Sequence, residues 1–169
     1  MLSFRPRYLL TALLGFLAPS CPIPFTSLAY GAENLTIMPA PAQLHAVGLS
    51  SPLPQVIFIR WSGKKNTLLL QALDRFHTRL EKLSGQKITF LSHSSTEAPF
   101  TITLNCQTLE STFPTLTMQE SYSLTTSQTG ILITAKGQAG ILHGLTSALQ
   151  LVKMQENKAT LQPSLFTHL

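Results

Sequence analysis

The sequence predicts an α+β fold, in which an antiparallel or mixed β-sheet carries two α-helices on one face. Several short segments alternate apolar and polar residues, which is the two-residue period of a half-buried strand. Two longer segments repeat apolar residues every three or four positions, which is the helical period. Short turns between strands imply antiparallel pairing, and helices gathered on one face of such a sheet form the α+β arrangement.

The first helix is predicted at residues 66–84, where the apolar side chains fall on one face. Asn66 is the expected N-cap, because its side chain accepts hydrogen bonds from the free N–H groups of the first turn. Gly85 is expected to end the helix, because glycine adopts the left-handed conformation without a Cβ clash. The predicted apolar face consists of Leu69, Leu73, Phe76, Leu80 and Leu83.

The second helix is predicted at residues 137–152, a stretch without a single charged side chain. A surface helix normally presents a charged face, so this helix is expected to be covered on two sides, by its own sheet and by a second domain. Gly140 and Gly144 leave one helix face without side chains, which lets the backbone approach a neighbour closely. With Leu145 and Leu149 they are the predicted domain-packing residues. The uncharged helix also predicts self-association.

Five further segments have the composition and period of strands. Residues 100–106 alternate strictly between apolar and polar side chains. Residues 120–125 and 131–135 are predicted to form a hairpin around the turn at 127–130. The remaining two segments are residues 55–61 and 87–91, and the proline-rich stretch before them predicts short extended pieces joined by turns.

The N-terminus has the pattern of an export signal, because two arginines precede a short uncharged apolar run. A ten-residue helix spans about 15 Å, half the thickness of a bilayer core, so the segment predicts no membrane span. Small residues before Ala32 predict cleavage between Gly31 and Ala32. The chain then divides into a signal peptide (1–31), a domain (32–163) and a C-terminal tail (164–169), and the product is periplasmic or secreted.

A lipoprotein signal ending at Cys21 is the alternative to simple cleavage. Pro19 and the absence of leucine three positions before the cysteine argue against lipid attachment at Cys21. Cleavage before Ala32 leaves one cysteine, Cys106, and so no internal disulfide.

The charge pattern excludes a nucleic-acid partner, since Lys64 and Lys65 are the only adjacent basic pair. Charged residues make up 11% of the chain, against about 25% in an ordinary soluble protein. This low charge, with 44% hydrophobic residues, predicts a sizeable core and a surface covered by another domain.

The pattern of polar residues predicts neither a catalytic centre, nor a metal site, nor a cofactor site. Asp74 is the only aspartate and lies beside Arg75 on the predicted helix, which indicates a solvated ion pair. His77 and Glu81 are one helical turn apart but lack the further ligands of a zinc site. His93 lies among serines without the glycine-rich turn of a hydrolase, which favours a polar loop.

Three consecutive segments resemble a family signature. They are a Glu-x-Tyr-x-Leu strand at 120–124, a Gly-Ile-x-Ile-x-Ala strand at 130–135 and a glycine-spaced helix at 140–151. In this order they are similar to the end of the N-terminal domain of bacterial family-20 glycoside hydrolases, the β-N-acetylhexosaminidases. Upstream, residues 35–41 resemble that domain's opening strand, and the helix ending at Gly85 resembles its first long helix.

The resemblance implies a non-catalytic accessory domain of an exported β-N-acetylhexosaminidase, in an isolated or truncated chain. Its implied partner is a TIM-barrel catalytic domain, whose opening Asp-x-Pro-Arg-Phe segment and catalytic Asp-Glu pair do not occur in the sequence. His143 stands where the family more often has an aromatic residue. Two alternatives stay open: an independent exported carbohydrate-binding module, and the corresponding domain of another barrel glycosidase such as an α-glucuronidase.

Overall fold

The computed structural model describes residues 37–38, 40–46, 48–92, 98–109, 115, 118–155 and 158–168. All of them belong to one unit, Ala32–Leu169. The helices are α1 (Thr67–Ser84) and α2 (Gln138–Gln150). The strands are β1 (Gln43–Ala46), β2 (Ser51–Pro52), β3 (Val56–Gly63), β4 (Thr89–Ser92), β5 (Thr101–Cys106), β6 (Tyr122–Ser127), β7 (Gly130–Ala135), β8 (Val152–Gln155), β9 (Lys158–Leu161) and β10 (Ser164–His168).

The main sheet has seven strands in the order β1-β10-β6-β7-β5-β3-β4, and β2, β9 and β8 form a smaller antiparallel sheet. The α+β class is confirmed, and of the two sheet types expected the mixed one is present. Strands β4, β3, β5 and β7 are parallel neighbours, whereas β7, β6, β10 and β1 pair antiparallel. Strand β4 is parallel to β3 because α1 carries the chain back before β4 begins, and such a crossover returns the next strand in the same direction.

The two faces of the main sheet differ in composition, as alternation along β5 predicts. Ile102, Leu104 and Cys106 are fully buried on the face that carries the helices. Thr101 and Thr103 lie on the opposite face, which is rich in hydroxyl side chains and partly exposed. The core therefore lies between the sheet and the helix pair, and the two helices shield it from solvent.

Both predicted caps of α1 are confirmed. The side chain of Asn66 accepts a hydrogen bond from the Leu69 N–H at 3.0 Å, and Gly85 has a left-handed φ of 65°. The prediction for Leu83 is wrong, because its side chain is 48% exposed, whereas Ser84 beside it is buried. The helix ends there, so no further element covers this side of its last turn.

The other predicted elements have close counterparts. The hairpin is β6 and β7, which pair antiparallel around residues 128–129, and the second helix is α2. Residues 164–168, placed in the C-terminal tail by the sequence, form β10 between β1 and β6. No helix among the described residues is long and apolar enough to cross a membrane.

Candidate functional site

The sheet-facing side of α2 is set by its two glycines. A Cβ on Gly140 would lie 2.6 Å from the Ser121 carbonyl oxygen and 2.7 Å from the Ala135 Cβ. A Cβ on Gly144 would lie 2.5 Å from a methyl group of Ile133. Both glycines are therefore required for close packing of α2 on β6 and β7 of the same chain. The outer side of the helix is formed by other residues.

A buried hydrogen bond anchors the middle of α2 to the sheet. The Tyr122 hydroxyl and the Ser147 hydroxyl are 2.6 Å apart, and both side chains are buried. Burial raises the pKa of Tyr122 above its usual value of 10.0, and the hydrogen bond with Ser147 opposes that rise in part. This bond places Ser147 on the sheet side, whereas His143 and Thr146 of the same helix are exposed.

A hydrogen bond joins the starts of the two helices. The Asn66 side-chain amide donates to the Gln138 side-chain oxygen at 2.8 Å. Since Asn66 is the N-cap of α1 and Gln138 is the first residue of α2, the two N-termini meet. The outer surfaces of both helices consequently form one layer that faces away from the sheet.

An open groove of about 140 Å³ runs between the helices on this outer surface, and we call it the interhelix groove. Its lining includes Arg75, Phe76 and Arg79 from α1 and Leu142, Leu145 and Leu149 from α2. Phe76, Leu145 and Leu149 are buried at its floor, and Leu142 is half-buried at its rim. The groove thus combines an apolar floor with two guanidinium groups.

Exposed apolar side chains lie at the C-terminal end of the helix pair. Leu83 follows Arg79 by one helical turn, and its side chain is 48% exposed. The Gln150 side chain forms two hydrogen bonds of 2.8 Å with the Met38 backbone, one to its N–H and one to its carbonyl. Met38, which is 70% exposed, is therefore held at the end of α2.

The acidic groups of α1 do not neutralise the groove arginines. The Glu81 carboxylate accepts a hydrogen bond from the Ile88 N–H at 2.9 Å and lies 3.4 Å from the Lys87 ammonium. The pKa of Glu81 is lowered mainly by that hydrogen bond, and to a smaller extent by the nearby Lys87 and His77 charges. Among the described residues, no carboxylate lies within 4.0 Å of Arg75 or Arg79.

A second hollow, of about 520 Å³, lies between α1 and the edge strand β4. Trp61, Phe90 and His77 contribute rings to it, and the His77 ring stacks on Phe90 at 4.2 Å. The His77 Nε2 also lies 2.7 Å from the Ile88 carbonyl oxygen, so it donates to that oxygen. One face of Phe90 and one nitrogen of His77 are thus occupied by contacts within the domain.

The candidate chemical residues are not brought together into a reactive cluster. His77 and Glu81 are 3.8 Å apart, and within the described part of the chain no group of three potential metal ligands occurs. Asp74 lines the second hollow, and the Glu120 carboxylate lies 3.9 Å from His143 on the surface. Gly31, Ala32, Cys21 and His93 lie outside the described residues.

Comparison with known families identifies this arrangement of sheet and helix pair. The family description "Glycosyl hydrolase family 20, domain 2" matches residues 34–164. The chain belongs to this family. Domain 2 of family 20 is an accessory domain of hexosaminidase-type glycosidases. No curated protein matches the chain.

Solved structures contain the same domain 2 fold. A chitobiase from Flavobacterium johnsoniae is 25% identical, with a TM-score of 0.65, over 78% of this chain and 20% of the enzyme. An exo-β-N-acetylglucosaminidase from Vibrio harveyi is 18% identical, with a TM-score of 0.55, over 78% of this chain and 18% of the enzyme. For the N-acetyl-β-hexosaminidase of Streptomyces plicatus the values are 18%, 0.55, 79% and 26%. The chain therefore spans about a fifth to a quarter of these enzymes.

Sequence reasoning anticipated apolar residues of the groove but not its two arginines. Leu145 and Leu149 were predicted as packing residues and line the groove. Arg75 was interpreted as part of a solvated ion pair, and neither Arg75 nor Arg79 was predicted to line a groove, although both do. The available signal was that Arg75 and Arg79 are one helical turn apart and therefore lie on the same side of the helix, next to the apolar Phe76.

Proposed function

We propose that this chain is the non-catalytic accessory domain of an exported β-N-acetylhexosaminidase. Its partner is a TIM-barrel catalytic domain, which packs on the outer surface of α1 and α2. The domain contributes stability and orientation to the barrel, and the amino sugar is bound and cleaved by the barrel alone. Export follows from the signal pattern that precedes Ala32, with Cys21 as the less favoured site of lipid attachment.

The observation that carries the proposal is the exposed apolar surface of the helix layer in a family-20 domain 2. Leu83 and Met38 are exposed at one end of this surface, and Leu142 is half-buried at the rim of the groove. Burying apolar area contributes about 25 cal/mol per Å², so covering these side chains would stabilise an interface. The absence of charge on α2 suits the same role.

The proposal is tested by a fusion in which residues 32–168 replace domain 2 of the Flavobacterium johnsoniae chitobiase. The fusion is expected to hydrolyse a chromogenic N-acetylglucosaminide and to unfold in one thermal transition, because a packed domain interface couples the two parts. Residues 32–169 alone are expected to give no turnover. Two separate transitions in the fusion, or turnover by the isolated chain, would contradict the proposal.

A matched pair of leucine variants controls for general destabilisation. Leu83→Lys places a charge on the helix layer, whereas Leu132→Lys places one on β7 at a side chain that is 44% exposed. In the fusion, L83K is expected to lower the temperature at which activity is lost more than L132K does. Equal effects would argue against packing through the helix layer.

Calorimetry tests the alternative of a carbohydrate-binding module. Sugar-binding surfaces of that kind present exposed aromatic rings, and the described large apolar side chains that are exposed are aliphatic. Titrating chitooligosaccharides into residues 32–169 is therefore expected to give no binding heat. A saturating binding curve would favour the binding module over the accessory domain.

If the partner is encoded on the same transcript, the coding sequence after Leu169 should contain an Asp-x-Pro-Arg-Phe segment and a later Asp-Glu pair.

Self-association through the helix layer would use the same surface as the proposed catalytic domain. Sedimentation of residues 32–169 over a concentration series measures it directly.

A further inference from the structure

The two arginines of the interhelix groove form an unfavourable charge arrangement in the isolated domain. Arg75 and Arg79 are one helical turn apart, a spacing at which like charges repel. Lys82 continues the same basic stripe three residues further on. Among the described residues, neither Arg75 nor Arg79 forms an ion pair that would offset this repulsion.

The surroundings of the two guanidinium groups do not supply a counter-charge. Glu81 is committed to the Ile88 N–H and the Lys87 ammonium, and Asp74 lines the second hollow. Across the groove, α2 has no charged residue at all. The rim of the groove is therefore positive, and its floor is apolar.

The size of the groove limits what enters it. Its volume of about 140 Å³ is close to the roughly 150 Å³ cavity that accommodates a benzene molecule. The groove therefore has space for one large apolar side chain between Phe76, Leu145 and Leu149. A neutral sugar would supply no counter-charge to either guanidinium group.

We propose that the interhelix groove binds a protein segment in which one large apolar side chain is flanked by carboxylates. The apolar side chain enters between the helices, and Arg75 and Arg79 form charge-assisted hydrogen bonds with the carboxylates. A second copy of this chain fits less well, because its own helix layer would present the same arginines. The inference rests on the proposed function, since it specifies how the helix layer recognises its partner.

The experiment uses two synthetic helical peptides that differ only in charge. Each has one central phenylalanine, flanked one turn away on both sides by glutamate in the first peptide and by lysine in the second. Calorimetry with residues 32–169 at low salt is expected to show at least about ten-fold tighter binding of the glutamate peptide, the effect of roughly one charge-assisted hydrogen bond. Added salt should weaken that preference.

A charge reversal then assigns the preference to the two arginines. The variant R75E/R79E is expected to bind the lysine peptide more tightly than the glutamate peptide. The control K136E/K158E makes the same change in net charge at two exposed lysines outside the groove and should keep the original preference. If circular dichroism shows that R75E/R79E is unfolded, R75Q/R79Q replaces it and should abolish the preference.

Three results would overturn the inference: no binding of either peptide, equal binding of both, or an unchanged preference in the arginine variants. These outcomes are independent of the fusion experiment. A fusion that unfolds in one transition, together with peptides that do not discriminate, would leave the accessory role intact and remove the acidic partner segment. If the glutamate peptide binds more tightly but the fusion unfolds in two transitions, the acidic partner segment is supported and the accessory role is not.

Discussion

Gly140 and Gly144 illustrate how the absence of a side chain can determine the position of a helix. Their spacing predicted close approach to a neighbour, and the neighbour they meet in the structure is the strand pair β6 and β7. The spacing alone carries no information on which neighbour this is. Only the tertiary structure shows which element packs against these two glycines.

Gly140→Ala is expected to destabilise the domain despite the higher helix propensity of alanine. The propensity gain is about 1 kcal/mol, whereas forcing an extra carbon against a backbone carbonyl and a fixed Cβ costs about 1–3 kcal/mol. We expect a net loss of about 1 kcal/mol in the free energy of unfolding, measured by urea denaturation. His143→Ala, on the exposed side of α2, is the control. A G140A variant as stable as the parent chain would show that α2 can shift outward at little cost.

Tyr122 couples the stability of the domain to alkaline pH. Because burial raises its pKa, the folded state holds the phenolic proton more tightly than the unfolded chain, whose tyrosine pKa is about 10. The stabilisation is complete below about pH 10 and is lost as the pH rises through the folded-state pKa.

Tyr122→Phe removes this dependence and the hydrogen bond with Ser147. We expect a loss of about 1 kcal/mol at neutral pH, because the buried Ser147 hydroxyl loses its partner. Between about pH 9.5 and pH 11, the parent chain should lose more stability than Y122F. Residues 32–169 contain one tyrosine, so tyrosinate absorbance reports its ionisation directly. Parallel stability profiles would contradict the assignment.

At the scale of elements, Asn66 performs two tasks with one side chain. Its oxygen caps α1 at the Leu69 N–H, and its amide group donates to Gln138 at the start of α2. The cap was predictable, because it depends on residues three positions apart. The bond to Gln138 spans 72 residues of sequence and depends on how the helices pack.

Two substitutions separate the tasks of Asn66. Asn66→Ser keeps an oxygen that caps the helix but is too short to donate to Gln138, whereas Asn66→Ala loses both interactions. The cap is worth about 1 kcal/mol, so N66A should be less stable than N66S by about that amount in urea denaturation. Equal stabilities would mean that the cap contributes nothing measurable.

The lack of charge on α2 does not by itself show what covers the helix. The sheet covers one side of it, and α1 lies alongside. The only exposed residues of α2 are His143 and Thr146. Much of the missing charge is therefore explained inside the domain, and the outer groove is what remains for a partner. In α1 the pattern failed at Leu83, since periodicity identifies a face and does not show how far the neighbouring layer extends.

At the scale of the whole molecule, the last strand holds the two ends of the domain together. β10 lies between β1 and β6 in the main sheet. The buried Thr126 hydroxyl donates to the Gln162 carbonyl at 2.7 Å and accepts from the Ser164 N–H at 2.7 Å. Residues after position 161 therefore belong to the sheet as well as to the connection towards any following domain.

Removing residues 162–169 is expected to unfold or aggregate the domain. The deletion takes β10 out of the sheet, leaves β1 without its partner and exposes the edge of β6. Thermal melts followed by circular dichroism and light scattering measure the effect. Removing residues 1–31 is the control and should preserve the cooperative transition. A cooperative melt after the C-terminal deletion would show that β10 is dispensable.

The sequence by itself determined the type and approximate bounds of the two helices and of strands β3 to β7, together with the caps of α1, the hairpin and the family of the domain. These depend on side-chain period and on residues a few positions apart, where local physics is sufficient. Only the tertiary structure decided the parallel half of the sheet, the place of β10 and the strands that pack against the two glycines. It also decided that Arg75 and Arg79 line a groove with an apolar floor. Each of these depends on contacts between residues far apart in the chain, whose geometry is set by the packing of all the layers together.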